Sequence, residues 1–197
     1  MKKAKRFLTG LLSAALALSL CAMPAMAEDV TGETTTTAPL ASAIDKSAKG
    51  TITIHKYEYN GNDDKNGTGV AGDANNVPTD AKDLEGATFT YYQVMTADEL
   101  VEYYNGKSTE KVGINTYVDE NGQILSAYAN KPNGSGKTGK NGIVKFGDGE
   151  TGLPVGLYVI IETETPAKVT TPVEPFLVSL PMANPTNKAE WMYDVYV

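Results

Sequence analysis

One nine-residue run limits the fold more than any other part of this sequence. Gly156–Glu164 (GLYVIIETE) is rich in β-branched and aromatic residues. Its alternating faces are both apolar, with Leu157, Val159 and Ile161 on one and Tyr158 and Ile160 on the other. Thr51–Tyr59, Ala87–Met95, Ile114–Val118, Ile143–Phe146, Phe176–Leu180 and Trp191–Val197 are runs of the same kind. Clusters of Gly, Asn, Asp and Pro separate them, at Asn60–Asp73, Asn121-Gly122, Lys131–Gly142 and Gly147–Gly152. Thr96–Asn105 breaks the pattern and predicts a short helix, capped by Thr96 or Asp98 and stopped at Gly106. Several short strands and one helix predict an all-β fold, an antiparallel β-sandwich.

Strand parity isolates two residues. In the first run Lys56 shares a face with Ile52 and Ile54, while Thr51, Thr53, His55 and Tyr57 share the other. In the Gly156 run Glu162 falls on the face of Tyr158 and Ile160. If the isoleucines point inward, a lysine and a glutamate point inward with them from two separate core strands. Burying an unpaired charge is expensive. The plain readings are therefore a buried ion pair, or a strand end where both groups reach water.

The chain begins as an address. Lys2, Lys3, Lys5 and Arg6 make a cationic start, Phe7–Cys21 is apolar, and Ala25-Met26-Ala27 supplies the small residues of a cleavage site. Residues 1–27 are read as a secretory signal peptide, too short and wrongly flanked for a membrane span. A rival lipoprotein reading of Cys21 is disfavoured because Leu20, just before it, is large. Residues 28–49, rich in Thr, Ala and Ser, are read as a flexible leader, and 50–197 as the folded domain. The mature part carries 13 Lys against 24 Asp and Glu, a net charge of −11, with no Arg and no Cys. That charge disfavours nucleic acid and anionic membranes as partners. A single histidine, His55, leaves zinc sites, thiol nucleophiles and Ser–His–Asp chemistry short of parts, and no cofactor or metal is expected. No second apolar stretch follows the signal, so no membrane contact is expected of the mature fragment.

Several motifs, in order, carry a resemblance. Tyr158-Val-Ile-Ile-Glu162-Thr163, with Pro166 after it, resembles the E-box of sortase-assembled pilins. Leu84-Glu85-Gly86-Ala87-Thr88-Phe89 resembles the Leu-x-Gly-Ala-x-Phe segment that opens a strand in the same proteins. Pro175–Pro185, then Trp191-Met-Tyr193-Asp-Val195-Tyr-Val197, is similar to the lead-in to the pilin motif. Residues 50–197 thus resemble the N-terminal (D1) domain of a Gram-positive major pilin, which implies an immunoglobulin-like, Cna-B-like sandwich.

The resemblance implies a secreted structural subunit of a covalently polymerised pilus on the bacterial cell wall, joined to neighbouring pilin subunits by sortase and supporting adhesion. It implies no turnover activity. Many domains of these pilins form one autocatalytic Lys–Asn isopeptide bond promoted by a nearby Glu or Asp. The amine must be neutral to attack and the carboxyl protonated to polarise the amide, and an apolar core favours both forms. Folding supplies the proximity. Lys56 and Glu162 match the lysine and glutamate roles. Family members continue from the residue matching Val197 into Tyr-Pro-Lys-Asn, whose lysine is joined by sortase and whose asparagine is the acceptor in some members. Trp191, Tyr193, Val195 and Val197 share one face by parity, which would put that lysine outward and the asparagine inward. Within this sequence Asn184 and Asn187 are the fallback acceptors. The alternative reading is an adhesin domain of the same fold, holding a host extracellular-matrix protein or glycan through the loops Asn60–Asp83 and Lys131–Gly142.

Weaker signals have plainer explanations. Asn62, Asp64, Asn66 and Asp73 imitate a calcium loop but read better as a solvated turn. Asn66-Gly-Thr and Asn133-Gly-Ser match the glycosylation sequon but mark turns. Glu99 and Glu102 fit a solvated helix face, and Tyr91, Tyr92, Tyr103 and Tyr104 fit ordinary packing rather than a sugar-stacking patch.

Overall fold

The computed structural model describes residues 40, 43–58, 70, 77, 80–107, 112–148, 151–167, 169, 172–187 and 189–197. The signal peptide, most of the leader and the calcium-like turn lie outside them. The strands are β1 (Lys49–His55), β2 (Tyr57–Glu58), β3 (Lys82–Asp83), β4 (Thr88–Met95), β5 (Asn133–Lys137) and β6 (Ile143–Phe146). They continue with β7 (Leu153–Pro154), β8 (Gly156–Glu164), β9 (Phe176–Leu180), β10 (Met182–Ala183), β11 (Trp191–Met192) and β12 (Asp194–Tyr196). One helix, α1 (Ala97–Tyr104), follows β4.

Two sheets pack face to face. One has the order β12-β1-β6, with β7 also on β1, and the other runs β5-β4-β8-β9. Pairing is antiparallel except between β1 and β12, the first and last strands, which run parallel. Ile52 and Ile54 of β1, Phe146 of β6 and Val195 of β12 meet Phe89, Tyr158, Ile160, Val178 and Leu180 from the facing sheet. The other face of β8 is covered as well. Leu157, Val159 and Ile161 pack with Val94, Leu100 and Val101 around α1, and with Tyr117 and Val118. That double cover is why β8 reads as apolar on both faces.

The helix starts where the sequence places it. Thr96 accepts from the Glu99 N–H and donates its own N–H to Glu99 Oε2 at 2.7 Å, a closed capping box, so Glu99 is a cap partner rather than part of a free face. Four expectations fail. Ile114–Val118 is a 3-10 turn with one bridge from Val118 to Ile124, not a strand. Lys131–Gly142 contains β5, so Asn133-Gly-Ser lies in a strand and not in a turn; composition hides the strand because its glycines are there for packing. A Cβ at Gly134 would lie 2.7 Å from the Tyr91 ring, and one at Gly136 would lie 2.7 Å from Val144. Trp191–Val197 is two strands with a bend at Tyr193, because the chain leaves β10 to pair with β1. Residues 43–48, assigned to the leader, are held on the domain, with Ile44 buried and the Asp45 N–H on the Tyr193 hydroxyl at 2.8 Å.

The bend at Tyr193 depends on Gly50. The Thr51 N–H donates to the Tyr193 carbonyl at 2.8 Å, and a Cβ on Gly50 would sit 2.0 Å from that oxygen. Gly50→Ala is therefore expected to cost more than about 2 kcal/mol by urea unfolding, as overpacking against backbone. Gly106→Ala, in open space at a left-handed φ of 67°, should cost only about 1 kcal/mol. The capping box predicts a pH effect. The Thr96 N–H holds the Glu99 carboxyl below its ordinary value of 4.5, so the cap stabilises fully above that value and is lost as pH falls through the lower folded one. The melting-temperature advantage over Glu99→Ala should be full at about pH 6 and shrink in acid.

Candidate functional site

Lys56 sits in the break between β1 and β2, held by its backbone. Its N–H donates to the Gly142 carbonyl at 2.8 Å, and its own carbonyl accepts from the Leu84 N–H at 2.9 Å. Gly142 has a left-handed φ of 68°, and a Cβ there would be 2.5 Å from the Lys56 oxygen, so glycine is required. Leu84 is fixed in turn by Thr138, a buried residue whose hydroxyl donates to the Leu84 carbonyl at 2.7 Å and accepts from the Ala87 N–H at 3.0 Å.

Glu162 arrives from the opposite sheet on a bulge. Phe89 pairs with Glu162 and Thr88 with Glu164, so Thr163 is an extra residue in β8. The Thr163 hydroxyl bonds the Thr88 carbonyl at 3.3 Å and the Thr90 hydroxyl at 3.1 Å, which ties the bulge down. Glu162 thereby keeps its place beyond Tyr158 and Ile160 on the core face.

The two side chains meet. Lys56 Nζ donates to Glu162 Oε2 at 3.1 Å, with side-chain exposures of 9% and 0%. The Val173 N–H donates to the same oxygen at 2.8 Å. Glu162 Oε1 is buried and has no partner among the described residues. The other ion pairs among the described residues, Lys46–Asp98, His55–Asp83 and Lys137–Glu164, have exposed members. Leaving a buried acceptor bare costs about 1–3 kcal/mol, so the pair is incompletely satisfied among the described residues.

The C-terminal strand runs beside the site. Val197 donates its N–H to the Thr53 carbonyl at 2.9 Å, and its carbonyl accepts from the His55 N–H at 2.8 Å, one residue short of Lys56. Val195 is fully buried in the inter-sheet core and Val197 packs at its edge. Trp191 and Tyr193 pack into the other core, around α1, so the single face that parity assigned to all four residues does not survive the bend. Asn184 and Asn187 lie in the β10–β11 hairpin turn, and their side-chain oxygens accept local N–H groups of Thr186, Asn187 and Ala189. That hairpin precedes the Asp194–Thr51 pairing at the far end of β1, roughly 16 Å along the strand from Lys56. Both side chains are thus engaged in their own turn.

Residues 47–197 match the family model described as Gram-positive pilin subunit D1, N-terminal domain. The chain belongs to that family. Fimbrial subunit type 1 of Actinomyces viscosus is 36% identical over 189 residues, covering 94% of this chain and 32% of the relative. Fimbrial subunit type 2 of Actinomyces naeslundii is 30% identical over 176 residues, covering 81% and 32%. The solved structure of the fimbrial protein FimP from Actinomyces oris is similar at 30% identity and a TM-score of 0.53, covering 81% of this chain and 31% of that one. The major pilin SpaA of Corynebacterium diphtheriae shares the fold, at 22% identity and a TM-score of 0.50, covering 76% and 29%. The chain thus spans about a third of the length of the curated relatives it matches.

The D1 motifs now have physical reasons. Leu84, Ala87 and Phe89 are buried, and Gly86 turns the chain at a φ of 94°. Tyr158 is buried, donates its hydroxyl to the Pro154 carbonyl and packs edge-on to Tyr91; burial pushes its phenol well up. The tyrosines form no single patch, since Tyr91 faces the inter-sheet core while Tyr92, Tyr103 and Tyr104 face the α1 core. Sequence reasoning missed the partners of His55, which bonds Asp83 at 2.8 Å and the Tyr57 hydroxyl at 2.7 Å on the outer face of the sheet. It also missed the Val173 amide, which no side-chain pattern signals. Among the described residues no group of three or more His, Cys, Asp or Glu could hold a metal, and no helix is long and apolar enough to cross a membrane.

The buried pair predicts a signature in stability. Glu162→Leu alone leaves Lys56 buried without its partner and should cost about 3–5 kcal/mol in denaturant unfolding. The double variant Lys56→Met/Glu162→Leu should recover most of that loss.

Proposed function

We propose that this D1 domain belongs to a structural subunit of a covalently polymerised pilus, secreted and carried on the bacterial cell wall, and that Lys56, promoted by Glu162, forms an intramolecular isopeptide bond within it. The observation that carries the second part is the bare, buried Oε1 beside a buried lysine. A carboxamide arriving there would supply the missing partner. It would come from the segment after Val197, because the parallel pairing of β12 with β1 leads that segment past Lys56. The inward placement of Val195 and Val197 is in keeping with an inward asparagine at the fourth position beyond Val197, after an outward lysine at the third that sortase would use to join subunits.

The chemistry needs no external reagent. Lys56 Nζ attacks the carboxamide carbon while Glu162 donates a proton to the carboxamide oxygen and accepts one from the amine. The tetrahedral intermediate returns its proton to the carboxyl, which protonates the leaving amino group. One C–N bond forms, one breaks, and ammonia leaves. This is a single self-modification and not turnover. The SpaA structure has been described as pointing to a modular pilus assembly stabilizing isopeptide bonds, and such a bond in this domain is in keeping with that description of its fold neighbour. Of the two loops of the adhesin alternative, Lys131–Gly142 contains β5 and most of Asn60–Asp83 lies outside the described residues.

Two measurements test the proposal. Boiled, detergent-treated cell-wall extract, probed with antibody to residues 50–197, should show a ladder of high-mass bands that disappears when sortase is deleted; a single monomer band would rule out the shaft role. In the full-length subunit, Glu162→Ala should abolish a cross-linked peptide containing Lys56, and an unchanged cross-link would remove Glu162 from the chemistry.

A further inference from the structure

We infer that Pro172–Pro175, on the approach to β9, is a positioning strap whose Val173 amide decides which oxygen of Glu162 delivers its proton. The inference rests on the bond-forming reading above and adds a residue to it. Val173 is a large apolar residue left 38% exposed and belongs to neither core cluster. Its backbone N–H, on Glu162 Oε2 at 2.8 Å, makes the contact with the core. The segment around it is stiff: Pro172-Val173-Glu174-Pro175 carries a fixed ring at each end and only two N–H groups. It is also braced. The Pro175 ring lies over Gly122, a turn residue at a φ of 72°, where a Cβ would come within 3.1 Å of the ring.

A glutamate's terminal torsion is broad and roughly two-fold, so an unrestrained carboxyl presents either oxygen. Here two donors, Lys56 Nζ and the Val173 N–H, occupy Oε2. In the neutral acid the carbonyl oxygen is the natural double acceptor, which leaves the proton on Oε1, the oxygen with no partner among the described residues. Oε1–H then faces the incoming carboxamide oxygen, while Oε2 stands ready for the proton that Lys56 Nζ gives up. Val173 acts through Glu162 and touches no reacting atom, so it is a positioning residue.

The test uses the full-length subunit and follows, by peptide mass spectrometry over time, the fraction of Lys56 carrying the cross-link. Val173→Pro, which deletes the N–H, should slow bond formation by about a hundredfold, the scale of a misplaced catalytic group. Val173→Ala keeps the N–H and should match wild type. Should Val173→Pro fail to fold, Gly122→Ala displaces Pro175 from another loop and should also slow the bond. Residue-resolved hydrogen exchange gives a readout independent of the bond: the Val173 amide should exchange slowly in wild type and fast in Glu162→Ala. A wild-type rate in Val173→Pro, equal slowing in Val173→Pro and Val173→Ala, or fast Val173 exchange in wild type would each overturn the strap. Absence of any Lys56 cross-link in wild type would overturn the bond reading itself and the strap's part in it.

Discussion

The oxygen shared by Lys56 and Val173 is the point on which the rest of this domain converges. A buried carboxylate and a buried ammonium are each expensive, and together they offset that cost only with good geometry and satisfied lone pairs. Here the geometry is provided and the satisfaction is incomplete. Gly142 and Leu84 hold the lysine backbone, the Thr163 bulge aims the glutamate, and the strap fixes the carboxyl. That local construction, around one acceptor without a partner among the described residues, is what the proposed bond would use.

The sandwich supplies the dry surroundings. β8 is covered on both faces as far as Ile161, and Glu162, the next residue, turns a buried side chain toward Lys56. The parallel β1–β12 pair then sets the first and last strands of the domain side by side. A bond from Lys56 into the segment after Val197 would close a loop of roughly 145 residues, worth about 5 kcal/mol on the chain-entropy account used for disulfides. The mature part of this sequence has no cysteine with which to make such a closure otherwise.

Much of this was legible in the sequence, and the reasons are particular. Alternation placed Lys56 and Glu162 on the core faces of different strands because period-2 patterning survives wherever a strand is flat and paired. It failed at Trp191–Val197, where Gly50 permits a bend and the strand changes partner. It failed at Asn133–Lys137, where glycine is selected by the Tyr91 ring and Val144, so an edge strand looks like a loop. The helix cap was legible because a capping box is a local device, readable in four residues. The Val173 amide was not, since a backbone donor leaves no mark in side-chain identity.

The most direct test of the central claim is an experimental structure of the full-length subunit, detailed enough to show the side-chain bonds of Lys56. The account predicts continuous density from Lys56 Nζ to an asparagine side chain beyond Val197, with Glu162 Oε1 on the new carbonyl and Oε2 still on the Val173 amide. A free Lys56 paired only with Glu162, with Oε1 still bare or bonded to water, would contradict it.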